Sequence, residues 1–325
     1  MTIITTQHDE LLNEYELSKG IEIYRIPNQT TQTKASLWKW IWSHRKLFRA
    51  ADIVHVHDVF WWMIPVISLV SPKLYVTFHG WEGKFPPTRS AVIQRKAAAK
   101  LSQGIIHVGE YIEKWYGVTP KAVVYGGVQA TTVKHPPVKG VLKKVIAAAK
   151  QGTFLATGKY TYDALFVGRL SNDNDIKTVG EFFSLLQEQN SKVKVAFAGD
   201  GAFAAYCDAI GEVKGEVDNV MELMSEAKMV CANSYLAIME AQSLGKLVVS
   251  FYSNPLKKDY LTLYPQARNM IIADNAQAAF DELQQLSDDP KRLKAMTQIA
   301  SEWAKQQSWK EVAKEYEQLW EKKTA

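Results

Sequence analysis

The chain of 325 residues is 47% hydrophobic, enough to bury a sizeable core and longer than one core usually fills, so two domains are expected. Two cysteines, Cys207 and Cys231, and an opening "MTIITTQHDE" without a basic-then-apolar leader point to a reducing, cytosolic setting, and the longest apolar run, "VFWWMIPVISLV", is too short to span a bilayer. The net charge of +5 is uneven: residues 1–140 carry 17 Lys and Arg against 10 Asp and Glu, residues 141–325 carry 22 against 24, and all 7 histidines fall in the first part. A basic, aromatic-laced half suits anionic lipid, phosphate-bearing substrates or nucleic acid, or is simply a solvated face.

In chain order, the first distinctive segment is "KASLWKWIWSHRKLFRA". Trp38, Ile41 and Trp42 followed by Arg45, Lys46 and Arg49 predict an amphipathic helix with a basic side, compatible either with a membrane interface or with aromatic core packing. "DIVHVHD" then delivers His55, His57 and Asp58 to a strand end, and strand residues Leu74 to Phe78 deliver His79 and Gly80 to another. A strand-end histidine in a cleft can hydrogen-bond a substrate or move a proton. Metal binding by His55 and His57, which share a strand face, needs a third ligand that the sequence does not point to.

The strand-like runs "LYVTF", "GIIHV" and "AVVY", then "ALFV", "KVKVAF" and "KLVVSF", alternate with helix-length segments. That alternation predicts parallel sheets with helices on both faces and no internal repeat. "ATTVKHPPVKG", residues 130–140, has neither period and carries Pro136, Pro137 and Gly140, which makes it the candidate linker. Two doubly wound domains joined there place a cleft between the carboxyl ends of their sheets.

In the second half, "ALFVGRLSNDND" carries a buried strand, Ala164 to Val167, into Gly168 and Arg169. A helix follows near Ile176, with Val179, Phe182, Phe183 and Leu186 on its apolar face. A guanidinium beside a strand-end Gly suits a diphosphate; the alternative is an ion pair with Asp173 or Asp175. In "CANSYLAIMEAQSLGKLVVSF", Asn233 or Ser234 can cap a helix of about Leu236 to Leu244 that stops at Gly245. Its first amides, near Tyr235 to Ala237, form a candidate anion site, and Glu240, one turn further in, is placed either for ribose hydroxyls or simply on a helix surface. The last segment has a helical stripe at Trp309, Val312, Tyr316 and Trp320 and is read as a docking helix.

With these residues in hand, the chain resembles the family 4 glycosyltransferases of the GT-B fold. "DIVHVHD", "TFHG", "GIIHVGEYIEKWYGVTPKAVVYGGV", "LFVGRLSNDND", "VAFAGDG" and "YLAIMEAQSLGKLVV" occur in that family's order over nearly the whole sequence. The resemblance implies an α/β fold of two Rossmann-like domains facing across a cleft, residues 1–140 on the acceptor side and 141–304 on the nucleotide-sugar side, with 305–325 packing back. It implies transfer of a sugar from a nucleotide-diphosphate donor, with retention and generally without a metal, to a glycan or lipid-linked acceptor in cell-envelope polysaccharide synthesis. The donor is a substrate, so no cofactor is expected; nor is nucleic acid.

Carried over by position, His79 contacts the donor sugar, and Gly168, Arg169 and position 174 meet the diphosphate. Ser234, Tyr235, Leu236 and Ala237 supply the helix amino end, and Glu240 holds the ribose. The sequence departs from the pattern in three places. Asn174 stands where the family has Lys, and Lys177, the cation nearby, starts a helix on a different face. Ala232 stands where a first Glu contacts the sugar. The opening "TIITTQHDELLNEYELSKGIEIYRIP" looks like the later strands of its domain, so the first strand–helix unit is missing, and a small domain, a misread start or a partner chain would account for that. The reading is therefore a cytoplasmic glycosyltransferase, peripheral on the inner face of the membrane. The alternatives are a degenerate, non-catalytic sugar-nucleotide binder or scaffold subunit, and a sugar-nucleotide epimerase.

Overall fold

The computed structural model describes residues 1–9, 11–81, 83–129 and 160–321. The linker expected at 130–140 and the boundary at 140/141 lie outside the described residues. Three sheets carry the chain. The first has the order β1–β3–β2, built from β1 (Thr2–Thr6), β2 (Tyr15–Ser18) and β3 (Ile21–Ile26). The second runs β4–β5–β6–β7, all parallel, from β4 (Val54–His57), β5 (Leu74–Phe78), β6 (Gly104–Val108) and β7 (Ala122–Val124).

The third sheet is six-stranded with the order β10–β9–β8–β11–β12–β13. Its strands are β8 (Tyr162–Val167), β9 (Val195–Ala198), β10 (Glu212–Val213), β11 (Ala227–Ala232), β12 (Leu247–Phe251) and β13 (Ile271–Ala273). All of its pairings are parallel. The central strands β8, β9, β11 and β12 read as near-continuous apolar runs because helices cover both faces. The architecture is α/β with two Rossmann-like halves.

The first half departs from a single sheet. β1 pairs with β3, and β4 with β5, so among the described residues each keeps one edge without a ladder partner. Ile4 and Val54, one on each of these strands, nevertheless pack against the same apolar cluster.

The expected Trp-rich helix is two helices. Helix α1 (Lys34–Ser43) is capped by Thr33 and α2 (Arg45–Ala50) follows a break at His44, whose ring stacks on Trp40 at 3.8 Å. Leu37, Ile41 and Phe48 are buried, and Trp38 donates its indole N–H to the carbonyl of Trp61. The apolar side of this segment is thus core, because those side chains fit under the loop after β4. Trp42 stays 50% exposed with the Arg45 guanidinium 5.1 Å from its ring.

Further helices frame the site: α3 (Arg89–Leu101), α4 (Tyr111–Tyr116), α5 (Ile176–Gln189), α6 (Tyr235–Ser243), α7 (Pro255–Thr262), α8 (Ala276–Asp288), α9 (Pro290–Gln306) and α10 (Trp309–Glu321). Helix α5 buries Val179, Phe182, Phe183 and Leu186, the face its 3.6-residue period predicts. Helix α6 ends before Gly245, whose φ of 69° is the left-handed stop that glycine adopts without steric cost.

Helix α10 lies on the second sheet. Leu319 packs so closely on Gly104 that a Cβ there would sit 2.6 Å from its Cδ1. Trp320 donates its indole N–H to His55 Nδ1 at 3.0 Å, and Thr77 donates to the Tyr316 hydroxyl at 3.1 Å. Trp309, expected on the same stripe, is instead 50% exposed. No helix among the described residues is long and apolar enough to cross a membrane.

Candidate active site

The candidate donor groups gather at the carboxyl ends of β8 and β11, adjacent parallel strands. Gly168, with φ of 147°, ends β8 where its carbonyl passes Gly199; a Cβ on Gly199 would meet that oxygen at 2.0 Å, so the crossing requires glycine. Arg169 follows with a side chain 73% exposed. Its only ion pair among the described residues is a 3.9 Å approach to Asp173, and at that exposure such a pair holds the guanidinium weakly.

Asn174 faces inward. Its Nδ2 donates to the Arg169 carbonyl at 2.9 Å, and its own carbonyl accepts from Asn233 Nδ2 at 2.6 Å. Asn233, 3% exposed, also accepts the Phe251 amide proton at 2.8 Å through Oδ1. A chain of amides therefore fixes the Arg169 loop onto the entrance of α6. Lys177 lies 5.4 Å from the Phe203 ring, away from this chain.

The amino end of α6 is only partly open. The Tyr235 amide donates to the Tyr260 hydroxyl at 2.8 Å, and the two rings stack at 4.0 Å. The amide expected there for an anion is thus already capped by a side chain. The amides of Leu236 and Ala237 have no partner among the described residues, the first intrahelical bond being Ile238 N–H to Ser234 O. Ser234 makes no side-chain cap. Glu240 is half-buried, without a side-chain partner among the described residues, and burial pushes its carboxyl up. Ala232 is a core residue at the end of β11, 1% exposed. Only Asn233 and Ser234 separate that strand from α6, so the position lies where the strand end meets the helix entrance.

The cation that the motifs do not reveal is Lys257, in the first turn of α7. It is 4% exposed and donates to the Asn233 carbonyl at 2.7 Å. Its Nζ lies 4.7 Å from the Tyr260 ring and 5.4 Å from the Trp81 ring. It forms no ion pair among the described residues. Burial brings its pKa down to about 8, against the pull of Asp175 and Asp173. Asp173 therefore senses both Arg169 and Lys257, which places the two cations about one loop. The sequence does hold a signal: Leu256, Tyr260 and Leu261 make an inward helical stripe, and Lys257 lies beside it while Lys258 does not.

Across the seam, His79 Nε2 meets His57 Nδ1 at 2.7 Å, and the His79 amide donates to Asp58 Oδ1 at 2.9 Å. Burial, then the neighbouring His79, lowers the pKa of His57. His55 is committed elsewhere. Its Nδ1 accepts from Trp320, so its proton lies on Nε2, which donates to Thr77 Oγ1 at 2.8 Å. Trp81, two residues after His79, brings this strand end to Lys257. The halves are further pinned by Asp259, which accepts from Trp115 Nε1 at 2.9 Å and pairs with Lys114 at 2.7 Å.

Two Rossmann-like α/β halves that meet at the carboxyl ends of their parallel strands fit the GT-B architecture. Two family models match: Glycosyltransferase Family 4 over residues 1–131 and Glycosyl transferases group 1 over residues 154–303. The chain belongs to the family 4 type of GT-B glycosyltransferases. It is similar to the crystal structure of a glycosyltransferase from Rickettsia africae, with a TM-score of 0.62 and 13% identity over 93% of this chain and 86% of that one. A TarM variant of S. aureus in complex with fondaparinux, α-GlcNAc-glycerol and UDP gives 0.57 and 13% over 88% of this chain; the chain spans 58% of that protein's length. HepE of Anabaena in complex with UDP gives 0.58 and 13%, over 88% of this chain and 82% of that one. No curated protein sequence matches the chain.

Proposed function

We propose that the chain transfers a sugar from a nucleotide-diphosphate donor to a glycan or lipid-linked acceptor, with retention at the anomeric carbon and without a metal or cofactor. The observation that carries this reading is the cluster of Arg169, Lys257 and the open amides of Leu236 and Ala237, all tied to Asn233 or α6. Negative charge develops on the leaving diphosphate, and donors fixed in advance around it lower the barrier. Lys257 stands in for the charge that Asn174 does not bring, while Asn174 holds the loop. Glu240 accepts from the ribose hydroxyls, and His79 meets the donor sugar. TarM and HepE, whose structures hold UDP, support the donor class.

Calorimetry with UDP, GDP and ADP tests the site. Each charge-assisted bond contributes about 1.5–3 kcal/mol, so Arg169→Ala and Glu240→Ala each weaken the preferred nucleotide by about tenfold or more while the fold stays intact. Unchanged affinity in both variants would remove the assignment. The anomeric configuration of the product, read by NMR, tests retention.

Two surfaces extend the proposal. Exposed Trp42 beside Arg45, Lys46 and Arg49 would hold a cytoplasmic enzyme on the anionic inner face of a membrane, which salt-sensitive partition onto anionic over neutral vesicles would reveal. The open edges of β1 and β4 would accept a strand from a partner chain, and slowed amide exchange at those edges on complex formation reads that pairing. The non-catalytic alternative rests on Ala232 and on the capped Tyr235 amide, and turnover decides against or for it.

A further inference from the structure

A cavity of about 360 Å³ lies wholly in the first half, lined by Asp58 and Phe60 after β4, by Trp61, by Phe78 and Trp81 around the end of β5, and by α3. Phe60 and Phe78 are buried and form its apolar floor, with the Arg95 guanidinium stacked 4.6 Å from the Phe78 ring. Trp61 and Trp81, both half-buried, present indoles to it.

Beside the hydroxyls of Thr88 and Ser90, two side chains at this cavity carry acceptor oxygens to spare. Asp58 spends Oδ1 on the His79 amide, and Oδ2 has no partner among the described residues. Gln94 donates through Nε2 to Ser90 at 3.2 Å, and its Oε1 is likewise without a partner among the described residues. A site with apolar walls and acceptor oxygens fits a ligand with apolar faces and several O–H donors. The carboxylate disfavours a phosphate group, and the guanidinium on the floor disfavours an ammonium. Trp81 also lies 5.4 Å from Lys257, so an occupant resting on that indole is one ring away from the donor cluster.

We propose that this cavity is the acceptor subsite and that it takes a neutral pyranose residue, resting on Trp61 and Trp81 with its hydroxyls donating to Asp58 and Gln94. The inference rests on the glycosyltransferase reading above. It assigns recognition to the sugar of the acceptor rather than to a phosphate or hydrocarbon part.

Saturation-transfer NMR with methyl glucoside, galactoside, mannoside and N-acetylglucosaminide tests it, with dodecyl phosphate as the rival probe and UDP, GDP and ADP calorimetry as a separate arm. Wild-type protein transfers saturation to the ring protons of at least one pyranoside. Trp61→Ala weakens that pyranoside tenfold or more. Asp58→Asn, which suits the left-handed φ of 60° at this position and keeps the acceptor for the His79 amide, weakens it at least threefold. The proposal is overturned if wild-type protein binds a nucleotide but no pyranoside, if both variants keep wild-type affinity, or if only dodecyl phosphate responds to Trp61→Ala. Pyranoside binding without any nucleotide binding would instead overturn the donor reading and, with it, the acceptor role.

Discussion

An ammonium that is 4% exposed, with one carbonyl acceptor and two aromatic rings for company, is costly to keep charged, and Lys257 shows that cost in a pKa brought down to about 8. The unfolded value is about 10.4, so between the two the unfolded chain binds more protons, and folding stability rises with pH over that window. Donor binding has the opposite sign, because only the charged form attracts a diphosphate. Nucleotide affinity in the wild type falls about tenfold from pH 7 to pH 9, about fivefold of it beyond pH 8, and Lys257→Met removes that dependence while weakening binding at pH 7. Calorimetry at the three pH values checks both; a wild-type affinity flat across them contradicts the role. Arg169 and Glu240 were legible because strand-end and helix motifs locate them. Lys257 and the capping hydroxyl of Tyr260 were not, because neither belongs to a motif and both act only through a packed neighbour.

Among elements, α10 couples to the second sheet through a histidine whose protonation the packing forbids. Burial, with smaller contributions from His57 and His79, lowers His55 to about 3. Its unfolded pKa of about 6.5 is higher, so stability is intact above that pH and is lost as pH falls through the interval, by about 1.4 kcal/mol per unit. Urea unfolding at pH 7 and pH 5, followed by tryptophan fluorescence, should therefore show a loss in wild type that His55→Gln reduces by about 2 kcal/mol. Equal losses in the two proteins would mean that His55 is not what ties α10 to acid sensitivity. The helix itself was legible from its apolar period. Its rotation was not: Leu319 takes the central contact on Gly104, where no side chain stands in the way, and Trp309 is half exposed. The Trp-rich segment was left open between membrane and core for a similar reason, since amphipathic spacing alone does not say whether water, lipid or core meets the apolar side.

For the whole molecule, the alternation of apolar strands and amphipathic helices was sufficient to read the two larger parallel sheets, but not the separate first sheet, in which β2 runs antiparallel to β3. The seam between the halves was not readable from it. Tyr235, Tyr260 and Tyr264 are buried in one apolar cluster that also contains Val56, Phe78 and Tyr111 from the other half, so the halves share a core rather than a wet cleft floor. An interface this apolar favours a fixed relative position of the halves over free hinge motion. The central claim is turnover at a preformed site. The most direct measurement is release of nucleoside diphosphate from a panel of UDP-, GDP- and ADP-sugars, with and without pyranoside and lipid-linked acceptors, for wild type and Arg169→Ala. The account predicts acceptor-dependent release from one donor class, reduced at least tenfold in Arg169→Ala. Tight nucleotide binding with no release from any donor in the presence of acceptors would contradict it and leave a sugar-nucleotide binder in place of an enzyme.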